Sequence, residues 1–101
     1  MLCEFKVAPF GSSESVSRDV AEIIEIIEQS GLPCQTHAMG TIVEGEWDAV
    51  MDVIRRCHET MRKNNRRVIT DIHIDDREGA TNRLTGKIES LERHLGRSVR
   101  K

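Results

Sequence analysis

Aromatic side chains are scarce in this chain of 101 residues, which has two phenylalanines, one tryptophan and no tyrosine. Proteins that bind single-stranded nucleic acid stack the bases on several aromatic rings, so three aromatic residues argue against a base-stacking surface. Positive charge is not in excess either, because 15 basic residues stand against 17 acidic ones and the net charge is −2. Without a basic field to attract phosphates, we expect no nucleic-acid partner.

Long apolar runs are also missing, since none approaches the roughly 18 residues that a membrane-spanning helix needs. The opening segment carries Glu4 and Lys6 inside its apolar stretch, which is not typical of a signal peptide. A chain of this length has room for one domain with one core. We therefore expect a cytoplasmic protein with no membrane partner.

The motifs of metal, redox and nucleophilic chemistry are absent from the sequence. The cysteines, Cys3, Cys34 and Cys57, are odd in number and too widely spaced for a Cys-x-x-Cys pair. His58 begins a string similar to a zinc-protease motif, but Arg62 stands where the second histidine belongs. There is no Gly-x-Ser-x-Gly, no phosphate-binding P-loop and no Gly-x-Gly-x-x-Gly. We expect reduced thiols, no metal, no cofactor and no catalytic residue.

Alternating and helical hydrophobic patterns follow each other along the chain. Period-two alternation predicts strands over residues 2–9, 34–38, 41–45 and 68–75, the middle two joined at Met39-Gly40 with Ala38 opposite Thr41 and His37 opposite Ile42. Apolar residues at helical spacing predict one helix that ends at Gly31 and a second with Trp47 as its core anchor. The predicted stripe of this second helix is Trp47, Val50, Met51, Ile54, Cys57, His58 and Met61.

The order of elements is βαββαβ with an additional helix over about residues 85–95, which Gly96 ends. Two βαβ halves with right-handed crossovers predict a ferredoxin-like α+β sandwich, in which two helices cover one face of a four-stranded antiparallel sheet. Residues 1–96 would form a single domain, and residues 97–101 a basic tail.

The sheet face opposite the helices mixes apolar and charged side chains. By alternation this open face carries Glu4, Lys6, Ala8, Gln35, His37, Ile42, Glu44, Ile69, Asp71 and His73. A solvated face is one interpretation. Packing against a second sheet is the other, and it would leave carboxylates in need of cations or hydrogen-bond donors.

Three segments resemble one known family. They are Val7-Ala8-Pro9-x-Gly11, Gly40-Thr41-x-x-Glu44-Gly45-Glu46-Trp47, and Thr70-x-Ile72-x-Ile74-Asp75-Asp76-Arg77. Together they resemble the small thiamine-binding protein family, from Phe5 to about Leu95. The resemblance implies a ferredoxin-like fold, sheet-on-sheet dimers paired into tetramers, and non-catalytic binding of thiamine or its hydroxymethylpyrimidine precursor in the cytosol, for salvage, transport support or storage.

Side-chain direction on the open face then selects candidate ligand-binding residues, which are His37, Thr41, Glu44, Asp71 and His73. Glu44 would neutralise the thiazolium of thiamine or accept a hydrogen bond from its exocyclic amine. Ile42, Met39 and Ala8 would supply apolar walls for a planar heterocycle. The alternative function is an oligomeric structural or regulatory module without a small-molecule ligand; an enzyme is a third interpretation that no activated nucleophile supports.

Overall fold

The computed structural model describes residues 1–10, 16–79 and 81–100. The elements in chain order are β1 (Leu2–Pro9), α1 (Val16–Gln29), β2 (Cys34–His37), β3 (Gly40–Glu44), α2 (Trp47–Asn64), β4 (Val68–Asp75) and α3 (Arg83–Leu95). The strands form one antiparallel sheet in the order β2-β3-β1-β4. The predicted ferredoxin-like α+β arrangement is confirmed. Of the predicted basic tail, residue 101 lies outside the described part of the chain.

The core lies between the sheet and the two helices α1 and α2. Cys3, Phe5 and Val43 point from the sheet toward the helices and are at most 3% exposed. The helices contribute Ile23, Ile27, Val50, Val53, Ile54, Cys57 and Met61 to the same cluster. The alternation of β1 thus separates a buried face from an open one, as period two requires.

Trp47 is not the core anchor that the helical stripe predicted, because its side chain is 54% exposed. It is the first residue of α2, and helical side chains lean toward the N-terminus, so this one projects beyond the packed turns. The corner beneath it is already filled: a Cβ on Gly45 would lie 3.0 Å from Leu32 and 3.4 Å from Val50.

The hairpin between β2 and β3 has a different register from the predicted one. His37 lies opposite Gly40 and Thr36 opposite Thr41, so the connecting residues are Ala38 and Met39. Gly40 instead belongs to β3, where an added Cβ would lie 2.9 Å from the backbone oxygen of Phe5. Because the register moves by two residues, every side chain keeps its predicted face.

Helix α3 begins at Arg83, two residues before the predicted start, and ends at Leu95. The N–H of the next residue, Gly96, donates to the Glu92 carbonyl. The residue before the helix, Asn82, has a left-handed φ of 54°, a conformation that asparagine tolerates. No residue of α3 is buried. The Cα radius of gyration is 15.1 Å, against about 13 Å for a compact chain of this length, so the molecule is elongated.

Candidate functional site

The strand register brings the polar candidates of the sequence to one face of the sheet. Glu4 on β1 lies between Ile42 on β3 and His73 on β4, and Gln35 on β2 lies beside Ile42. The same pairing places Lys6 next to Asp71 and Ala8 next to Ile69. Leu2 and Asp75 extend this face at the end where α3 begins. The predicted composition of the open face is confirmed.

Glu4 is the centre of a cluster with two histidines. Its carboxylate oxygens lie 3.1 Å from Nε2 of His37 and 3.9 Å from Nδ1 of His73. His37 lies two strands away from Glu4, with Gly40 next to it on the intervening strand, and the missing side chain leaves a path across β3.

The His37 ring is oriented by its own turn. The Met39 N–H donates to Nδ1 of His37 at 3.2 Å, which leaves the proton of a neutral ring on Nε2. This Nε2 atom is buried and has no aligned hydrogen-bond acceptor among the described residues, although Glu4 is near. A small movement of Glu4 or a polar ligand atom would satisfy it.

A groove of about 380 Å³ runs beside this cluster, between the open face and the first turns of α3. Its lining residues are Leu2, Glu4, Gln35, Ile42, His73, Ile74, Asp75, Arg83, Leu84, Lys87 and Ile88. The apolar side chains give walls for a flat ring, and Glu4, Gln35 and His73 give a carboxylate, an amide and an imidazole. Such a mixture is typical of small-molecule sites.

A second depression, of about 280 Å³, lies next to the groove on the same face of the sheet. Glu4 and His73 border it, together with Lys6, Met39 and Asp71. Of the five candidate residues, the structure therefore places His73 in both depressions, Asp71 in the second only and His37 against Glu4.

Glu44 lies on the open face but is not part of the groove lining. It is 9% exposed, and its carboxylate accepts the backbone N–H groups of Arg83 at 2.8 Å and Leu84 at 3.2 Å. These are orphan amides at the N-terminus of α3, where the helix dipole favours a negative charge. Glu44 therefore anchors α3 and shapes the groove from outside it.

Thr41 lies on the opposite side of the sheet from the other candidates. It pairs with Phe5 and Thr36, faces the helices and is 7% exposed. Thr41 is two residues before the buried Val43 in β3, so strand alternation puts both on the same face and could have predicted this orientation. Glu4, which sequence reasoning left out of the site, had the matching signal, since it alternates with Cys3 and Phe5 on β1.

One end of the groove is positively charged. Lys87 on α3 forms a hydrogen-bonded ion pair with Asp75 at the end of β4. This contact, with smaller contributions from the charges of Arg77 and Arg83, lowers the pKa of the Asp75 carboxyl. The opposite end, at Glu4, has the carboxylate and the two imidazoles.

Within residues 1–10, 16–79 and 81–100, no three His, Cys, Asp or Glu side chains are grouped to hold a metal ion. The same residues contain no helix with both the length and the apolar character needed to cross a bilayer. The three cysteines are free thiols, with Cys3 and Cys57 buried.

Comparison with known proteins assigns relatives to almost the whole chain. The family model described as thiamine-binding protein matches residues 3–92. A UPF0045 protein of Mycobacterium bovis is 41% identical over 96 residues, which are 94% of this chain and 94% of that protein.

Solved structures agree with the observed fold. A protein of Methanocaldococcus jannaschii is 30% identical with a TM-score of 0.80, covering 89% of this chain and 93% of its own. A Thermotoga maritima protein, whose name relates it to thiamine biosynthesis or salvage, has a TM-score of 0.76 at 21% identity, covering 89% of this chain and 96% of its own. At that identity the second likeness shows the fold alone.

Proposed function

Because the chain belongs to the thiamine-binding protein family, we propose that it binds thiamine or its hydroxymethylpyrimidine precursor without transforming it. The site is the groove between the open face and α3. The observation that carries this proposal is the carboxylate of Glu4 beside His73, set against the apolar walls of Ile42, Leu84 and Ile88.

The chemistry of the ligand fits these groups. Thiamine has a fixed positive charge on its thiazolium ring and a row of donors and acceptors on its aminopyrimidine. Glu4 can neutralise the charge or accept from the exocyclic amine, and Gln35 offers both a donor and an acceptor to the same edge. Glu4 thus takes the role that the sequence suggested for Glu44, whose oxygens are engaged with α3.

Binding without catalysis is favoured by the composition of the groove. Its described lining contains no serine, threonine or cysteine, so a covalent intermediate on a hydroxyl or thiol has no residue to form on. With the family assignment, we propose that this binding serves salvage, transport support or storage of the vitamin in the cytoplasm.

Isothermal titration calorimetry with thiamine and with hydroxymethylpyrimidine tests the function. We expect both to bind wild-type protein and Glu4→Gln to weaken thiamine about five- to a hundred-fold, since one charge-assisted contact is lost. The matched control is Glu46→Gln, the same substitution at an exposed residue that makes no side-chain cap bond. Absence of binding by wild-type protein would contradict the proposal.

Self-association is the second candidate function, and α3 favours it. Ile88, Leu91 and Leu95 are 37–48% exposed on this helix, and Ile69 on the open face is 41% exposed. A second copy of the chain is the partner we propose for these surfaces, as a dimer or a tetramer. Light scattering that gave only the 11.5 kDa monomer at micromolar concentration would contradict this.

A further inference from the structure

The positive end of the groove continues into a smaller depression of about 190 Å³. The two cavities share Leu2, Asp75, Arg83 and Lys87, and the smaller one adds Met1 and Arg77. They therefore form one continuous cleft, with the ring-binding groups at Glu4 and a cluster of cations at the far end.

The side chains of this far end carry a surplus of positive charge. Three cations, Arg77, Arg83 and Lys87, surround the single carboxylate of Asp75, in a chain whose net charge is −2. Asp75 is already hydrogen-bonded to Lys87. Among the described residues, neither Arg77 nor Arg83 has an ion pair, so two guanidinium groups remain for an anion.

The same two arginines also line another depression, of about 310 Å³, with Glu78, Gly79 and Thr81. Both guanidinium groups are thus accessible from the cleft and from the loop beyond it. A guanidinium binds phosphate oxygens through two parallel N–H donors, which makes arginine the residue suited to a terminal phosphate.

Glu44 gives this end of the cleft a defined position. Its carboxylate accepts the N–H of Arg83 itself, so the start of α3, and with it the Arg83 side chain, is tied to β3. Glu44 is therefore a positioning residue for the cation cluster.

We propose that the cleft takes its ligand as a phosphomonoester, with the heterocycle against Ile42 and Glu4 and the phosphate at Arg77, Arg83 and Lys87. The ligand class is an aminopyrimidine-bearing alcohol esterified with one phosphate. This inference rests on the proposed function, because it needs the ring to occupy the Glu4 end. It adds that the phosphorylated ligand binds the cleft more tightly than the parent alcohol.

Two matched ligand pairs test the inference by calorimetry: hydroxymethylpyrimidine against its phosphate, and thiamine against thiamine monophosphate. In wild-type protein we expect each phosphomonoester to bind about tenfold tighter or better than its parent alcohol. The pair that shows the larger preference identifies which of the two ligands the cleft accepts in phosphorylated form.

The variant R77Q/R83Q should lose this preference. The single variant R77Q, at a residue that lines the smaller depression and not the groove, should weaken the preference and keep the affinity for the unphosphorylated ligands. The control R56Q/R66Q removes the same charge from two exposed residues that do not line the cleft, and it should keep the preference. Thermal melts followed by circular dichroism serve as the control that all of these variants are folded.

The outcomes separate the inference from the function on which it rests. Equal affinity of alcohol and ester in wild-type protein overturns the inference and leaves the proposed function standing. A preference that survives in R77Q/R83Q overturns the assignment to these arginines. If no member of either pair binds, the proposed function falls and the inference falls with it.

Discussion

Glu44 Oε2 lies 2.8 Å from the backbone nitrogen of Arg83, 39 residues further along the chain. A carboxylate at the end of β3 thereby takes the place of an N-cap side chain for α3, whose own Asn82 makes no side-chain cap bond. No residue of α3 is buried, so polar contacts to the sheet, this one and the Lys87–Asp75 ion pair, help to hold the helix in place.

Glu44→Gln should therefore loosen α3. The substitution removes the negative charge that the helix N-terminus favours and keeps only one acceptor for two amides. We expect a loss of about 1–3 kcal/mol in the free energy of docking α3, seen as faster hydrogen exchange at Arg83 and Leu84. Unchanged exchange at both amides, with Glu46→Gln as the control, would contradict the anchoring role.

Asp19 should be the most sensitive polar residue of the helix layer. Its side chain is fully buried and accepts from Nδ2 of Asn64 at 2.9 Å and of Asn65 at 3.1 Å. Asp19→Asn sets a new amide donor against those two donors. We expect a cost of about 2–4 kcal/mol in urea unfolding, whereas Asp48→Asn, at an exposed residue, should cost less than about 1 kcal/mol.

Trp47→Ala tests the corrected position of the tryptophan. Because more than half of this side chain is exposed, the substitution should cost less than about 1 kcal/mol of unfolding free energy. Ile54→Ala, in the buried stripe of the same helix, should cost about 2–5 kcal/mol. A larger loss of unfolding free energy for Trp47→Ala than for Ile54→Ala would indicate that the tryptophan packs in the core.

The buried thiols should be nearly inert. Burial raises the pKa of Cys57 to about 11 and raises that of Cys3, with a further contribution from Glu4. At pH 8, a thiol with a pKa of about 11 is ionised in only about one molecule in a thousand. We expect fast labelling of the half-buried Cys34 alone, lost in Cys34→Ser, and labelling of the other two only after unfolding.

The same shift has a consequence for stability. A thiol pKa that is higher in the folded state favours folding while the thiol stays protonated, so this contribution is complete below pH 9 and is lost as the pH rises toward 11. Cys57→Ala should flatten the alkaline decline of the free energy of unfolding. An equally steep decline in this variant would exclude Cys57 as its source.

The sequence predicted most of the sheet because period two is a local signal. The alternation of Cys3 and Phe5 with Glu4 determines which face each occupies, and the two-residue error in the hairpin register preserved those faces. The register itself depended on Gly40, where the close approach of Phe5 is a tertiary contact that no local pattern reveals.

The groove could not be predicted because it depends on where α3 lies. Helical spacing shows which side of α3 is apolar, but not which surface this side approaches, and the prediction left the open face without a helix. Glu44 was thus recognised as a notable carboxylate while its contact with Arg83 was not. The prediction for Trp47 was wrong because a helical stripe does not show which of its residues, in the first turn of α2, contact the sheet.

We expect thiamine to occupy the groove between the open face and α3. Chemical-shift mapping of labelled protein during a thiamine titration tests this directly, because it locates the ligand without any substitution. We predict the largest changes at Glu4, Ile42, His73 and Leu84, and small ones at Val53 and Cys57 in the core between sheet and helices. Changes concentrated on α1 and α2, with no shift at the groove residues, would place the ligand elsewhere and exclude the groove as the binding site.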